Sequence, residues 1–245
     1  MSKFHSLISL FFFISLLGLM PLGIFAQSNI TTVGIQLKPI ISADFLNTGP
    51  QNEKIGDIDF TIEPTNGFAF GMVIRKGFND QFSIETGINY SRRNYDLRIT
   101  EDSTGFEGNS DFSYVIYEVP LLALIYVRLG ENTYLNNAFG INLNFLPSDW
   151  ETADYYFEHY SARSYWVVPA LQANVGFEYR TYESGFLYLG FSYHQPFSNI
   201  TTAGVLYKDN INEPPKETAF FDIQGNYLTI DLRYFFHEPA KRQRR

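Results

Sequence analysis

The chain has 245 residues, 18% of them aromatic, and 18 Lys and Arg against 26 Asp and Glu give a formal net charge of −8. It contains no cysteine, which excludes a disulfide framework, thiol chemistry and lipid attachment at a mature N-terminal cysteine. The acidic balance argues against nucleic acid as a partner.

The N-terminal segment, Met1–Gln27, is predicted to be a cleaved secretory signal peptide. Lys3 supplies a positive start, Leu7–Leu19 is a short apolar stretch, and Ile24-Phe25-Ala26 precedes the expected cleavage site. That stretch is shorter than the roughly 20 residues of a spanning helix, so an uncleaved anchor is the weaker interpretation. Export leaves two fold classes for the remainder, a water-soluble β-sandwich or barrel and a transmembrane β-barrel.

Eight later segments alternate apolar and polar residues with the period of two that is typical of β-strands. They cover residues 32–45, 67–76, 82–99, 114–129, 134–146, 165–180, 185–197 and 225–236. The connections between them run long, short, long, short, long, short, long. Transmembrane barrels have this asymmetry, with short periplasmic turns and long external loops. We therefore predict an all-β, eight-stranded antiparallel up-and-down transmembrane β-barrel over residues 28–236 in the outer membrane, followed by a basic tail at 237–245.

The third segment contains a change of parity. Ile84 and Ile88 have even numbers, whereas the later apolar residues Leu97 and Ile99 have odd numbers. The pattern predicts either a β-bulge near Arg92-Arg93 or a strand end that leaves the membrane.

The fourth segment has one uniformly apolar face, from Val115 to Leu129, and one mixed face that carries Glu118, Pro120 and Arg128. The apolar face is predicted to meet lipid. Because proline lacks a backbone donor, we expect a local irregularity of the hydrogen-bond ladder at Pro120.

Charged residues fall on the mixed face of several segments, where a barrel has its interior. An eight-stranded barrel is just wide enough to be filled by its own side chains, and a lone buried charge is costly. We therefore predict a structural network of paired charges in the lumen, and a narrow conduit for water or small ions is the alternative. The predicted members are Lys38, Arg75, Glu85, Glu118, Arg128, Glu178, Arg180, Asp231 and Arg233.

The third long connection is dense in aromatic residues, including Trp150, Tyr155, Tyr156 and Tyr160. Exposed aromatic residues favour binding, so these four residues are candidates for contact with a sugar or a protein partner. Strand extension above the membrane, together with belt residues at its boundary, is the simpler interpretation.

Evidence for catalysis is weak. Ser192 and His194 share a strand face, and Glu178 lies on the preceding strand, which resembles the side-chain set of lipid-modifying outer-membrane hydrolases. Two residues spaced by two share a face by default, however, and no Gly-x-Ser-x-Gly or His-Glu-x-x-His motif is present. We predict no catalytic residues, no cofactor and no metal site.

The strand Glu118-Val119-Pro120-Leu121-Leu122 resembles the E-[IV]-P-L-L strand of the PorT-type outer-membrane β-barrel family, which is abundant in Bacteroidota. The Ala26-Gln27 junction, the opening Val33-Gly34-Ile35 and the closing Tyr234-Phe235-Phe236 are similar too. The resemblance covers essentially the whole mature chain and implies no general catalytic residues. One branch of the family serves a protein-secretion and gliding-motility apparatus.

The sequence is compatible with three functional hypotheses. The leading hypothesis is a non-enzymatic outer-membrane barrel with a side-chain-filled lumen and external loops for structural, adhesion or partner-binding roles. The second is an accessory subunit of a secretion or gliding complex, and the third is a lipid-modifying enzyme. The expected partners are outer-membrane lipid, the barrel-insertion machinery and envelope proteins.

Overall fold

The computed structural model describes residues 31–42, 49–153, 156–181, 184–208, 214 and 216–237. The predicted signal peptide and all of the basic tail except His237 lie outside these residues. No helix in the described ranges is long and apolar enough to span a bilayer. The strands are β1 (Thr31–Ile41), β2 (Gln51–Ile55), β3 (Ile58–Gly77), β4 (Phe82–Glu101), β5 (Phe106–Arg128), β6 (Thr133–Phe145), β7 (Trp150–Ala153), β8 (Phe157–Arg163), β9 (Val167–Arg180), β10 (Phe186–Pro196), β11 (Thr201–Tyr207), β12 (Glu217–Ile223) and β13 (Tyr227–Phe235).

Eight of these strands close into a barrel. The order around the ring is β1, β3, β4, β5, β6, β9, β10 and β13, and every neighbouring pair is antiparallel, including β13 with β1. These strands correspond to the eight segments recognised in the sequence, so the prediction of an eight-stranded antiparallel barrel is confirmed. The short turns gather at one end of the barrel, called the inner end, and the long connections gather at the outer end.

The barrel wall is apolar outside and polar inside. Along β5 the outward side chains Leu121, Ile125 and Val127 are exposed, whereas the inward Glu118 is buried. Exposed rows of large apolar residues are the outer surface that a barrel presents to lipid. The face of the fourth segment that was predicted to meet lipid is the outward face of β5.

The long connections at the outer end form a two-layer β structure, here called the cap. One layer consists of β2 and the outer ends of β3, β4 and β5, and the other is a four-stranded sheet in the order β12-β11-β8-β7. The interpretation of 100–111 as a loop holds only for the residues between β4 and β5, because β5 already begins at Phe106. In the connection 147–164 the strands β7 and β8 agree with strand extension above the membrane, whereas β11 and β12 in 198–224 were not predicted. These strands are only 4 to 7 residues long in the four-stranded sheet, and their short alternation is masked by nearby acidic and aromatic residues.

The two layers of the cap enclose an apolar core. Aromatic residues meet across it: the Tyr114 and Trp150 rings are 4.8 Å apart, and the Phe106 and Tyr207 rings are 5.4 Å apart. Burial of this surface stabilises the cap in the way that it stabilises a small soluble sandwich. The buried residues include Phe60, Ile62, Leu97, Ile99, Phe112, Ile116, Phe157, Val205, Phe221 and Ile223.

The change of parity in the third segment marks the boundary between barrel and cap. In β4, Ser91, Arg93, Tyr95, Leu97 and Ile99 are all buried, so the strand keeps its inward face throughout. What changes is the chemistry of that face, from polar in the barrel to apolar in the cap. Of the two explanations predicted for the third segment, β4 follows the second: its outer end leaves the barrel and continues as a strand into the cap.

The register shift that accompanies this boundary lies in β3 rather than β4. Thr65 pairs with Asn94, but the next pair joins Phe68 to Arg92. Two residues of β3 therefore oppose one residue of β4, which is the arrangement of a β-bulge.

Proline interrupts the ladder in two places without changing the register. Between β4 and β5, pairing is lost at Val119 and Pro120, while Thr86–Leu121 and Asn89–Glu118 pair in the same register on either side. The Thr86 hydroxyl donates to the Pro120 carbonyl oxygen at 2.8 Å. The expected irregularity at Pro120 is thus a local gap rather than a bulge, and a similar gap between β1 and β13 lies at Pro39.

Candidate functional site

The lumen contains an ionic cluster centred on Arg75 near the inner end. Its guanidinium donates to Glu85 Oε2 from Nε at 3.2 Å and from Nη2 at 3.0 Å, and Nη1 donates to Glu178 Oε2 at 2.5 Å. All three side chains are buried. The planar guanidinium suits this arrangement because it presents several donors in a fixed geometry to two carboxylates.

Arg233 of β13 extends the same cluster to the other side of β1 and β3. It donates from Nη1 to Glu85 Oε1 and from Nη2 to Asp231 Oδ2, both at 2.6 Å. Asp231 also accepts hydrogen bonds from Ser192 Oγ at 2.6 Å and Thr229 Oγ1 at 2.5 Å, and Lys38 Nζ lies 3.5 Å away. A buried carboxylate with this many donors is compensated for its loss of hydration.

A second ionic cluster lies nearer the outer end and is centred on Glu118. Its Oε1 accepts from Arg93 Nη2 at 3.0 Å and from the Tyr227 hydroxyl at 2.8 Å. Arg93 Nη1 also donates to the Gly225 carbonyl oxygen at 2.6 Å, which connects β4 to the turn before β13. The Arg93 guanidinium lies 4.4 Å from the centre of the Tyr227 ring.

Two glycines make room for an aromatic side chain in the lumen. A Cβ atom at Gly190 would lie 2.2 Å from the Tyr188 hydroxyl oxygen, and one at Gly176 would lie 2.5 Å from it. The space allows Tyr188 to lie over the two glycines and to donate to Asn174 Oδ1 of the neighbouring strand β9 at 2.6 Å. Glycines in the barrel wall thus leave room for long side chains that fill the lumen.

The cap has its own buried polar chain. The Tyr114 hydroxyl is 2.7 Å from Ser161 Oγ, which is 2.8 Å from His159 Nε2. The Phe112 ring packs against the imidazole, with ring centres 4.1 Å apart. Burial in these surroundings lowers the pKa of His159 from 6.5 to about 4, because the charged imidazolium would lose its hydration.

A polar contact at the top of the cap joins the two layers. Lys216, which precedes β12, donates to the carboxylate of Glu101 at the end of β4, and Thr104 Oγ1 donates to the same carboxylate at 2.6 Å. The hydrogen bonds from Lys216 and then Thr104 hold the pKa of Glu101 at about 2, below its usual 4.5. The carboxylate therefore stays charged at neutral and mildly acidic pH.

The family model of the outer membrane protein β-barrel domain matches residues 25–202, which is more than half of the chain. The chain belongs to this family. Among solved structures, the outer membrane protein OprG from Pseudomonas aeruginosa is similar at 14% identity and a TM-score of 0.50, over 85% of this chain and 96% of that one. The outer membrane protease OmpT from Escherichia coli aligns at 9% identity and a TM-score of 0.37, over 84% of this chain and 96% of that one. No curated protein matches the sequence.

Membership in the outer membrane protein β-barrel domain family agrees with the closed ring and its apolar outer surface. The protein is located in the outer membrane. Long loops are external in such barrels, so we expect the cap, on the side of the long connections, to face the cell exterior.

The structure brings seven of the nine predicted lumen residues together in the barrel interior. Arg180 lies at the inner rim, where its side chain is 28% exposed and donates to Glu178 Oε1 at 2.7 Å. Arg128 does not join the network, which corrects that assignment. It is the last residue of β5, is exposed, and donates to the carbonyl oxygens of Gly130 at 2.9 Å and Glu131 at 3.3 Å. The seven interior residues are Lys38, Arg75, Glu85, Glu118, Glu178, Asp231 and Arg233.

Arg93 is the lumen residue that the sequence analysis missed. It has the same parity as Glu85 and Ser91 in β4, and extending that alternation by one step would have placed it inside. Because the pattern was interpreted as a change of parity near Arg92-Arg93, Arg93 was not assigned to the inward face.

Of the aromatic residues proposed for partner contact, Trp150 packs against the cap core, and Tyr156 and Tyr160 are exposed. Trp150 packs in the cap against Tyr114, and Tyr156 packs against Phe106 with ring centres 4.9 Å apart. Tyr160 points outward from β8 and is 47% exposed. Tyr155 lies outside the described residues.

The residues considered for lipid hydrolysis are buried in the lumen. Ser192 Oγ donates to Asp231 at 2.6 Å, and Glu178 is engaged by Arg75 and Arg180. His194 stacks on Tyr227 with ring centres 4.6 Å apart, and neither of its ring nitrogens has a hydrogen-bond partner among the described residues. Ser192 and His194 therefore do not form a hydrogen-bonded pair. No group of three or more metal-ligating side chains occurs in the part of the chain that the structure describes.

Proposed function

We propose that this protein is a non-enzymatic, closed outer-membrane barrel whose lumen is structural and whose cap contacts partners outside the cell. The observation that carries the proposal is the pairing of charges across the lumen. Arg75 and Arg233, from β3 and β13, converge on Glu85 of β4. These bonds cross the space that a conduit would need to keep open.

The cap supports the same proposal. Its apolar core lies directly above the outer cluster and contains Ile116, two residues before Glu118 on the same strand face. A solute entering from outside would have to displace this packed layer first. The outward surface of the cap is the part of the protein that is available to partners.

Planar-bilayer recording tests the closed lumen. We expect the purified protein to insert without large stepwise currents, because paired side chains fill its interior. Large currents from the parent protein would contradict the proposal. Mass spectrometry of lipid A from a strain that lacks the gene is expected to match the parent strain, whereas an altered lipid A would favour a lipid-modifying enzyme.

A role as accessory subunit of a secretion or gliding complex is the second candidate. It is favoured by the resemblance of Glu118-Val119-Pro120-Leu121-Leu122 to the PorT-type strand. Gentle solubilisation and affinity purification distinguish the two. Recovery of a stoichiometric high-mass membrane complex supports the subunit role, and recovery of the barrel alone supports an independent protein.

A further inference from the structure

A groove of about 940 Å³ runs along the outer surface of the cap between the β2 and β12 strands. Among the described residues that line it, side-chain amides and carboxylates predominate, and none is Lys or Arg. The polar lining residues are Gln51, Asn52, Glu53, Asn199, Asp222 and Gln224.

Several of these polar groups are held in place by neighbours. Asn52 Oδ1 accepts from Thr61 Oγ1 at 2.8 Å, and Asp222 Oδ1 accepts from Thr202 Oγ1 at 2.8 Å. Gln51 Nε2 donates to the Asp222 carbonyl oxygen at 3.2 Å, across the groove. Such contacts lower the cost of ordering the groove when a ligand binds.

An aromatic platform continues from this groove across the four-stranded sheet. Gly204 of β11 pairs with Phe220 on one side and with Tyr160 on the other. Phe220 is 65% exposed, and Tyr160 is 47% exposed. A Cβ atom at Gly204 would lie 3.3 Å from Phe220 Cε1, so the Phe220 ring lies over the glycine and turns its other face to solvent.

We propose that the groove and this platform bind a neutral oligosaccharide. A ring face presented to solvent packs against the C–H face of a hexose, while amides and carboxylates supply both donors and acceptors for its hydroxyl groups. The carboxylates of Glu53 and Asp222, without a basic residue among the described lining residues, repel phosphorylated, sulfated and uronic-acid glycans. Lys54 is directed elsewhere, to Asp59 at 3.0 Å and Asp102 at 2.8 Å.

The size of the site indicates an oligosaccharide rather than a single sugar. Tyr160 and Phe220 are separated by the width of β11, which is two ladder spacings or roughly 10 Å. The groove extends the surface further towards β2. Several hexose units would be needed to contact all of it.

A glycan array probed with the labelled full-length protein in detergent tests the inference. The array carries neutral linear hexose oligosaccharides and, beside them, uronic-acid and phosphorylated glycans. We expect signal on neutral glycans, and calorimetry with the best of them should give an affinity that Phe220→Ala weakens by roughly tenfold or more. Binding only to anionic glycans, no binding to any neutral glycan, or an unchanged affinity for Phe220→Ala would overturn the inference.

Two further variants separate the ring geometry from general surface effects. Gly204→Ala removes no contacting group but pushes against the Phe220 ring, and it should also weaken binding. Glu107→Gln removes an exposed carboxylate from β5 in the other layer and should leave the affinity unchanged. Heat-modifiable migration on gels confirms that each variant is folded. If Phe220→Ala and Gly204→Ala both bind as tightly as the parent, the ring platform is not the site.

The inference rests on the proposed function, since it assumes that the cap is the contact surface. The experiments can reject the proposed ligand and the proposed function independently. A protein without large bilayer currents that binds no neutral glycan loses only the proposed ligand class, whereas large currents reject the closed barrel whatever the array shows.

Discussion

The lumen and the cap share the strands β3, β4 and β5 but have opposite interiors. On the inward face of β4, Glu85 and Asn89 are polar and buried within the barrel, whereas Leu97 and Ile99 are apolar and buried within the cap. The change occurs between Arg93, which pairs with Glu118, and Tyr95, which belongs to the apolar core.

This contrast teaches that the surroundings of a strand decide what it can bury. Within the membrane, lipid covers the outward apolar residues, so the interior can be polar provided that its charges are paired. Above the membrane, water covers the outward face, and an apolar interior is the main source of stability. The two regions should therefore respond differently to loss of a charge, to acid and to loss of a methylene group.

The largest effect is expected from Glu118→Ala in the lumen. The substitution leaves the buried Arg93 guanidinium without its carboxylate, and removal of one partner of a buried pair typically costs about 3–5 kcal/mol. Urea unfolding in lipid vesicles measures the loss in the free energy of unfolding. Bilayer currents should remain absent, because the inner cluster around Arg75 still fills the lumen.

Two controls define the cause of that loss. Glu107→Ala, at an exposed position on the same strand, should change stability little. Arg93→Met combined with Glu118→Gln removes both charges and keeps an acceptor for Tyr227, so it should recover more than half of the loss. A double variant as unstable as Glu118→Ala would show that the unpaired charge is not the cause.

The second effect is acid destabilisation of the cap through His159. The pKa of His159 is about 4 in the folded cap and about 6.5 when the chain is unfolded, so the unfolded state binds the proton first. The contribution of neutral His159 to the free energy of unfolding is present above pH 6.5 and is lost as the pH falls from 6.5 to 4, a loss on the order of 3 kcal/mol. Limited proteolysis of the cap across this range measures the change.

His159→Gln is the matched variant for the acid effect. Glutamine can still bond Ser161 but takes up no proton, so proteolysis of this variant should depend less on pH between 6.5 and 4. Glu101 contributes in a lower window, since its pKa of about 2 means that its stabilisation is lost as the pH falls from 4.5 to 2. Equal pH profiles for parent and variant would contradict the role of His159.

The sequence was sufficient for the barrel because each wall strand is long and alternates cleanly. Positions such as Arg75 and Glu85 follow from parity alone, and their pairing follows from the cost of an isolated buried charge. Arg128 has the right parity, but its position at the end of β5 is decided by where the barrel stops. The alternation of apolar and polar residues does not show at which residue a strand leaves the barrel.

The cap was predictable only in part. Its strands β7, β8, β11 and β12 are too short for alternation to distinguish them from loops, and they pair with partners distant in sequence. Gly204 and Phe220 belong to one platform only because β11 and β12 pair in that register. Such a register is set by tertiary packing and is not visible in the local pattern.

The smallest effect should come from removing one methylene on either face of β4. Ile99→Val shortens a fully buried side chain in the cap core, and such changes typically cost about 0.5–1.5 kcal/mol. Ile84→Val makes the same change on the lipid-facing side of the strand, where lipid fills the space that the methylene leaves, so the cost should be near zero. Unfolding in vesicles, followed with a probe in the cap and one in the barrel, measures both. An equal loss for the two variants would mean that the outward face of β4 is packed like the cap core, and the contrast between the two regions would then not hold for this strand.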